Sequence, residues 1–205
     1  LAAQRAIEAG FDGVEIHGAN GYLPDQFLTT YTNQRHDLYN GDVRHRLRFH
    51  LQLLQAVRAA IPGQLLGVRL SQTKVNDLEY VWPGQMEDAR VIFSEIAQTG
   101  VDFIHVAGHQ GLAPVFGSTQ SLSGLAKTFS GLPVIANGKL QDPALANQAL
   151  VDGEGDLVSI GKGALADAHW AAKVQAGLAP IEFHLDMISP YATLENRDQW
   201  MKPQG

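Results

Sequence analysis

Gly10-Phe11-Asp12-Gly13-Val14-Glu15-Ile16-His17-Gly18 runs through a glycine, an aspartate, a short β-branched run and a closing glycine. The same grammar returns at Gly100-Val101-Asp102-Phe103-Ile104-His105-Val106-Ala107-Gly108 and at Gly155-Asp156-Leu157-Val158-Ser159-Ile160-Gly161. A glycine ends a helix because it tolerates the left-handed conformation, and β-branched residues fit a pleated, covered surface. Each stretch therefore reads as a helix end followed by a buried strand. Leu65 to Ser71 and Pro133 to Gly138 add two further strands, whose near-continuous apolar character suits a parallel sheet covered on its outer face.

Between the strands, apolar residues recur at helical spacing over Leu47 to Ile61, Met86 to Gln98 and Pro143 to Val151, with Ala164 to Ala176 after the last strand. Such alternation predicts a parallel α/β fold with right-handed crossovers, either an open doubly wound sheet or a closed barrel. Two features favour the barrel. Polar residues or glycines stand at the C-terminal end of every strand (His17, Arg69, Gly108, Asn137-Gly138, Gly161-Lys162), where barrel enzymes carry their sites. The first following loop, Gly18 to about Arg46, is long and rich in Asn, Tyr, Asp and Arg, which predicts a binding role. One domain over residues 1–205 is expected, with an irregular tail from Ile181 to Gly205. Leu1 to Gly10 already reads as an amphipathic helix closing on glycine, so the chain is expected to begin inside its fold.

A net charge of -6 and a pI near 5.7 argue against nucleic-acid or anionic-membrane partners, which reward a basic face. The apolar runs are too short to span a bilayer. With no cysteine, disulfides, thiolate metal sites, cysteine nucleophiles and thiolate-bound iron–sulfur clusters are excluded, and a cytoplasmic location is expected. His105 and His109 flank a strand end at i, i+4, but no carboxylate lies at ligand spacing beside them in the sequence, so no metal is expected. Glu15 alternates with Val14 and Ile16, and an orienting role suits it better than catalysis.

His17, Asn20 and Tyr22 leave the first strand within six residues, and all three can donate hydrogen bonds. The imidazole and the amide can converge on one carbonyl or phenolate oxygen while the phenol supplies a proton. A polar strand end with a turn at Asn20-Gly21 is the plainer alternative.

The longer string decides between them. Ala9 through Leu23, with Asp25-Gln26-Phe27-Leu28 behind it, resembles the signature of the old yellow enzyme family. Asn33, Arg35, Asp37, Tyr39, Gly41 and then Arg46-Leu47-Arg48-Phe49 are similar to that family's next segment, and Gly67-Val68-Arg69-Leu70-Ser71 falls at its next strand. The resemblance implies a flavoprotein on a (β/α)8 TIM barrel, with this chain supplying about strands 4–8. It implies that His17 and Asn20 bind the oxygen of an activated substrate, that Tyr22 donates a proton, and that Arg69 lies at the flavin's pyrimidine edge. Asn137-Gly138-Lys139 and Gly161-Lys162-Gly163, after the last two strands, are the expected FMN phosphate loops.

Some positions depart from the family pattern. Lys162 stands where the resemblance leads us to expect Arg, keeping the charge but losing the bidentate fork, so weaker FMN binding is expected. Gly41-Asp42 and Arg44-His45 also differ from the family's loop. Strands one to three, with the residue near flavin N5 and a Gln at the pyrimidine edge, are expected to precede Leu1, so the missing barrel half or a homo-oligomer partner is expected to be needed and this chain alone to be inactive. The resemblance thus implies an FMN-dependent ene-reductase that takes hydride from NADH or NADPH and reduces a small α,β-unsaturated carbonyl. The absence of cysteine sets aside the family's iron–sulfur branch. The alternative is a non-catalytic barrel fragment that binds a partner or a phosphate ligand without turnover.

Overall fold

A computed structural model describes residues 1–202. Helix α1 (Ala2–Glu8) leads into β1 (Gly13–Gly18), the short α2 (Leu23–Leu28) and the long α3 (Val43–Ala60). Strand β2 (Leu65–Leu70), α4 (Met86–Ala97), β3 (Phe103–Val106), α5 (Leu122–Ser130), β4 (Val134–Asn137), α6 (Pro143–Val151) and β5 (Leu157–Ser159) follow in strict alternation. Helices α7 (Lys162–Ala166) and α8 (Trp170–Gln175), a 3-10 turn (Leu185–Ile188) and α9 (Leu194–Trp200) complete the described chain.

The five strands pair in chain order, all parallel, as β/α units of a (β/α)8 barrel do. Among the described residues β1 and β5 each pair on one side only. Because side chains alternate along a strand, the two faces of this wall differ. The outer face is dry: Leu66, Val68, Leu70, Ile104, Val106 and Val134 are buried with Leu47 and Leu54 of α3 and Ile92, Phe93 and Ile96 of α4. The inner face carries the odd set, Glu15, His17, Gly67, Arg69, Phe103 and His105. Gly67 has no room for a side chain, since a Cβ there would lie 2.1 Å from Cζ of Phe103.

Three expectations need correction. Helix α5 was not expected, although Leu122, Leu125, Ala126 and Phe129 keep helical spacing, because its short run carries Gly124 and two serines of low helix propensity. That glycine lets Glu154 close in, and its carboxylate accepts from Ser121 N and Oγ at 3.0 and 2.5 Å while Ser121 Oγ caps Gly124 N. The single helix expected from Ala164 to Ala176 is instead α7 and α8, broken at Asp167. The buried Asp167 carboxylate accepts from Lys173 Nζ, Ile181 N and His169 N, and the lysine above all holds its pKa down at about 2. The tail from Ile181, expected to be irregular, carries the 3-10 turn and α9, joined by a stacked His184–Trp200 pair. Residues 203–205 of that tail lie outside the described residues.

The long loop after β1 is also more structural than its composition suggested. Phe27 stacks on Phe49 at 4.3 Å, Asn33 Nδ2 donates to the carbonyls of Phe27 and Tyr39, and Arg35 pairs with Asp37 over the Phe27 and Tyr39 rings. Arg46, buried, donates to Leu28 O and Gly41 O and pairs with Asp88 at 3.3 Å. Most of the polar residues between Thr29 and Arg46 that prompted a binding role therefore bond within the loop and to α3 and α4. Of residues 18–46, Asn20 in the first turn is the one that lines the two cavities above the strand ends.

Candidate active site

The register of the sheet sets the site. His17 of β1 is level with Arg69 of β2, which is level with His105 of β3, so all three project from the inner face at one height. Above them lie two cavities of about 300 and 390 Å³ that share Arg69, Gly108, His109 and Asn137. The first extends to Asn20, Thr73, Lys74, Val75 and Leu78. The second extends to Gly138, Lys139, Ser159, Gly161 and Lys162. Together they form one trough across the C-terminal ends of β1 to β5.

Arg69 is its middle. Its Nε is buried and has no hydrogen-bond partner, and among the described residues its guanidinium makes no ion pair. A structural ion pair, the plain reading of an arginine on a barrel strand, is not what this geometry shows. An unmet buried donor is costly, on the order of 1–3 kcal/mol, so this Nε is available to an acceptor that enters the trough.

At the β1 end, Asn20 adopts a left-handed φ of 59°, and its N–H donates to Ser71 Oγ at 2.8 Å. Asn20 lies in the wall of the first cavity. His17 and Tyr22 stand beside that cavity rather than in its wall, with their rings 4.8 Å apart, and Tyr22 is 60% exposed. The structure thus gathers the three residues at one strand end, with only Asn20 in contact with the enclosed volume. Burial first, and then the charge of Arg69, lower the pKa of His17. The shift favours the neutral ring. Beneath this turn His50 is fully buried, with Nε2 3.4 Å from Gly18 O, and burial pushes its pKa down to about 4.

At the other end, backbone dominates. Gly138 has φ +124°, and a Cβ there would lie 2.5 Å from Gly108 O, so the loops after β3 and β4 touch main chain to main chain. Lys139 follows at φ 56° and is exposed, while Gly161 faces open space. Lys162 lies in the cavity wall, but its ammonium sits 5.5 Å from the Phe183 ring centre, so tail and loop share it.

Two groups escaped sequence reasoning. His105 Nδ1 donates to Glu15 Oε2 at 3.0 Å, its Nε2 meets Ser159 Oγ at 2.8 Å, and that oxygen accepts from Asn137 Nδ2 at 3.0 Å. This chain across four strands supplies His105 with a carboxylate from β1, while its sequence neighbour Asp102 bonds Arg58 and Leu66 N instead. The second is Lys74, whose ammonium is buried against Asp25 at 2.7 Å. A lysine in a polar loop gives no sequence signal of burial.

The polar trough fits a flat, anionic, phosphate-bearing cofactor: an unmet guanidinium at its centre, and glycine backbone with two lysines at one end. The match to known proteins agrees. The family model described as NADH:flavin oxidoreductase / NADH oxidase matches residues 1–180. A probable flavin mononucleotide-dependent alkene reductase of Leishmania infantum is 37% identical over 181 residues, which are 88% of this chain and 47% of that protein. An NADH oxidase of Thermoanaerobacter brockii is 33% identical over 86% of this chain and 28% of its own length. A variant of morphinone reductase in complex with tetrahydroNAD superposes with a TM-score of 0.76 at 29% identity, over 88% of this chain and 48% of that one. The chain therefore spans about half the length, or less, of these relatives.

Proposed function

Since the chain belongs to the NADH:flavin oxidoreductase / NADH oxidase family, we propose that it serves an FMN-dependent oxidoreductase that takes hydride from NADH or NADPH and reduces an activated C=C bond. The observation that carries this reading is the buried, unpartnered Arg69 Nε at the centre of the trough. When bound, FMN supplies a two-electron carrier that accepts a hydride from one molecule and delivers it to another.

The chain's own residues then have separable tasks. Arg69 holds the cofactor's electron-rich polar edge, where a fixed cation is worth most in a water-poor site. Gly138, Lys139, Gly161 and Lys162, with Asn137, hold the phosphate. His17 and Asn20 donate to the substrate's carbonyl oxygen, drawing charge from the alkene, and a neutral His17 does so without needing to be protonated. Tyr22, in ring contact with His17, holds the proton that the substrate carbon needs. In this reading the free edges of β1 and β5 are bridged by further strands, from a longer chain or a second copy.

The test is anaerobic. The full-length protein is loaded with FMN, bleached with NADH or NADPH, and offered 2-cyclohexenone. Return of the yellow colour with formation of the saturated ketone is expected. A flavin that is bleached but is reoxidised only by oxygen would leave an NADH oxidase and sink the C=C assignment.

A further inference from the structure

Lys74 and Asp25 are both essentially inaccessible, yet neither has a role in the chemistry proposed above. Burying two charges costs several kcal/mol per ion unless the geometry returns it, so such a pair is weak evidence for stability and better evidence for a specified conformation. What it specifies is visible in the contacts. Asp25 Oδ1 accepts from Lys74 Nζ at 2.7 Å and from Thr29 Oγ1 at 3.4 Å, while Oδ2 accepts from Gly21 N at 2.7 Å. The peptide before Gly21 is that of Asn20, whose own N–H is held by Ser71 Oγ. Lys74 Nζ also reaches Ser71 O at 3.4 Å and faces the Tyr80 ring at 5.1 Å. Two successive amides, Asn20 and Gly21, are thus tied to one buried cluster.

The same lysine anchors a second element. Its backbone pairs with Asp77 in both directions, at 2.8 and 3.2 Å, closing a tight turn whose exposed Val75 lies in the wall of the first cavity. The ion pair therefore joins the turn that carries Asn20 to a second turn that lines the same cavity.

Resting on the proposed oxyanion role of Asn20, we propose that Lys74, Asp25 and Ser71 are positioning residues that lock the left-handed Asn20–Gly21 turn and so set the oxygen-binding amide against the cavity. A non-Gly residue at φ 59° is held there by its surroundings: Ser71 Oγ binds the Asn20 amide, Asp25 binds the Gly21 amide, and Lys74 holds Asp25 in place. None of them touches the reacting atoms.

The experiment compares the full-length protein with its Ser71→Ala and Lys74→Met variants by hydrogen exchange and by titration with FMN and then with a para-substituted phenol. Ser71→Ala should speed exchange of the Asn20 amide, and Lys74→Met that of Gly21, each about tenfold or more, while the amides of β2 and β3 keep their protection. Phenol affinity should fall about tenfold and FMN affinity change less than twofold. Unchanged exchange at both amides, or phenol and FMN weakening together, overturns the clamp. If Lys74→Met does not fold, Ser71→Ala alone decides. If the unaltered protein binds no phenol, the functional reading fails, and the exchange data still decide whether the turn is locked.

Discussion

At the β1–β2 end of the trough, side chains on a folded turn are held from below by buried charges and a buried histidine, whereas the β4–β5 end is made of glycine backbone and exposed lysines. The difference follows from what each end would hold. An oxygen that gains charge during a reaction rewards donors fixed in advance, so the β1–β2 end is over-determined. A phosphate keeps its charge throughout and accepts from any convergent N–H, so close backbone approach with loosely placed ammonium groups is enough. On the proposed assignment one end would be specific and the other merely adhesive, and each variant below breaks one end without the other.

The largest effect is expected from His17→Ala combined with Asn20→Ala. Enone reduction should fall on the order of 10³-fold, and the long-wavelength band given by a para-substituted phenol should vanish. FMN affinity should hold, as a titration will show. Retention of the band would remove the oxyanion role from this end altogether.

Acid should attack the same end through His50. Its folded pKa, about 4, lies below the ordinary 6.5, so its contribution to stability is full above pH 6.5 and drains as the pH falls toward 4. In that window the unfolded chain takes the proton and the folded chain does not, because burial, assisted by the Lys74 charge, opposes it. The loss should approach about 3 kcal/mol. Denaturant unfolding across pH 7 to 4 should show this slope, and His50→Leu should flatten it. An unchanged slope in that variant would put the acid sensitivity elsewhere.

Tyr22→Phe sharpens the contrast by separating two half-reactions. Reoxidation by an enone, which needs a proton on carbon, should slow on the order of 10²-fold, while reduction by NADH or NADPH stays nearly constant. Stopped-flow traces will time each step. Equal slowing would make Tyr22 a packing partner of His17.

The smallest effect belongs to the adhesive end. Lys162→Ala should weaken FMN binding by about 1 kcal/mol, and Lys162→Arg should tighten it by a similar amount, because a guanidinium forks where an ammonium is a point charge. Riboflavin, which has no phosphate, should bind all three proteins alike. Should Lys162→Ala weaken riboflavin equally, the ammonium serves only the Phe183 ring it now faces.

A recurring glycine–aspartate–β-branched grammar and short apolar runs indicated five parallel strands, and helical periodicity indicated α3, α4 and α6, because burial on one face writes a repeat into sequence that needs no knowledge of partners. The residues that meet at the mouth of the trough were legible for the same reason: they follow directly on strand ends, which parallel pairing brings to one side. Helix α5 was not, since Gly124 answers to Glu154, thirty residues away, rather than to helix propensity. Nor was the break at Asp167, which is stabilised by contacts with Lys173 and Ile181.

What the amino-acid order determined by itself is therefore the alternation of strand and helix, the family signature and the chemical types gathered at one end of the sheet. Only the tertiary structure decided what each charged group meets. Arg69 Nε is left without a partner among the described residues, His105 finds its carboxylate on β1, and Lys74 is buried against Asp25. The physical reason is that hydrophobic periodicity is a local record of burial, whereas the partner of a buried charge is chosen in space, here across gaps of ninety residues for Glu15 and His105 and forty-nine for Asp25 and Lys74.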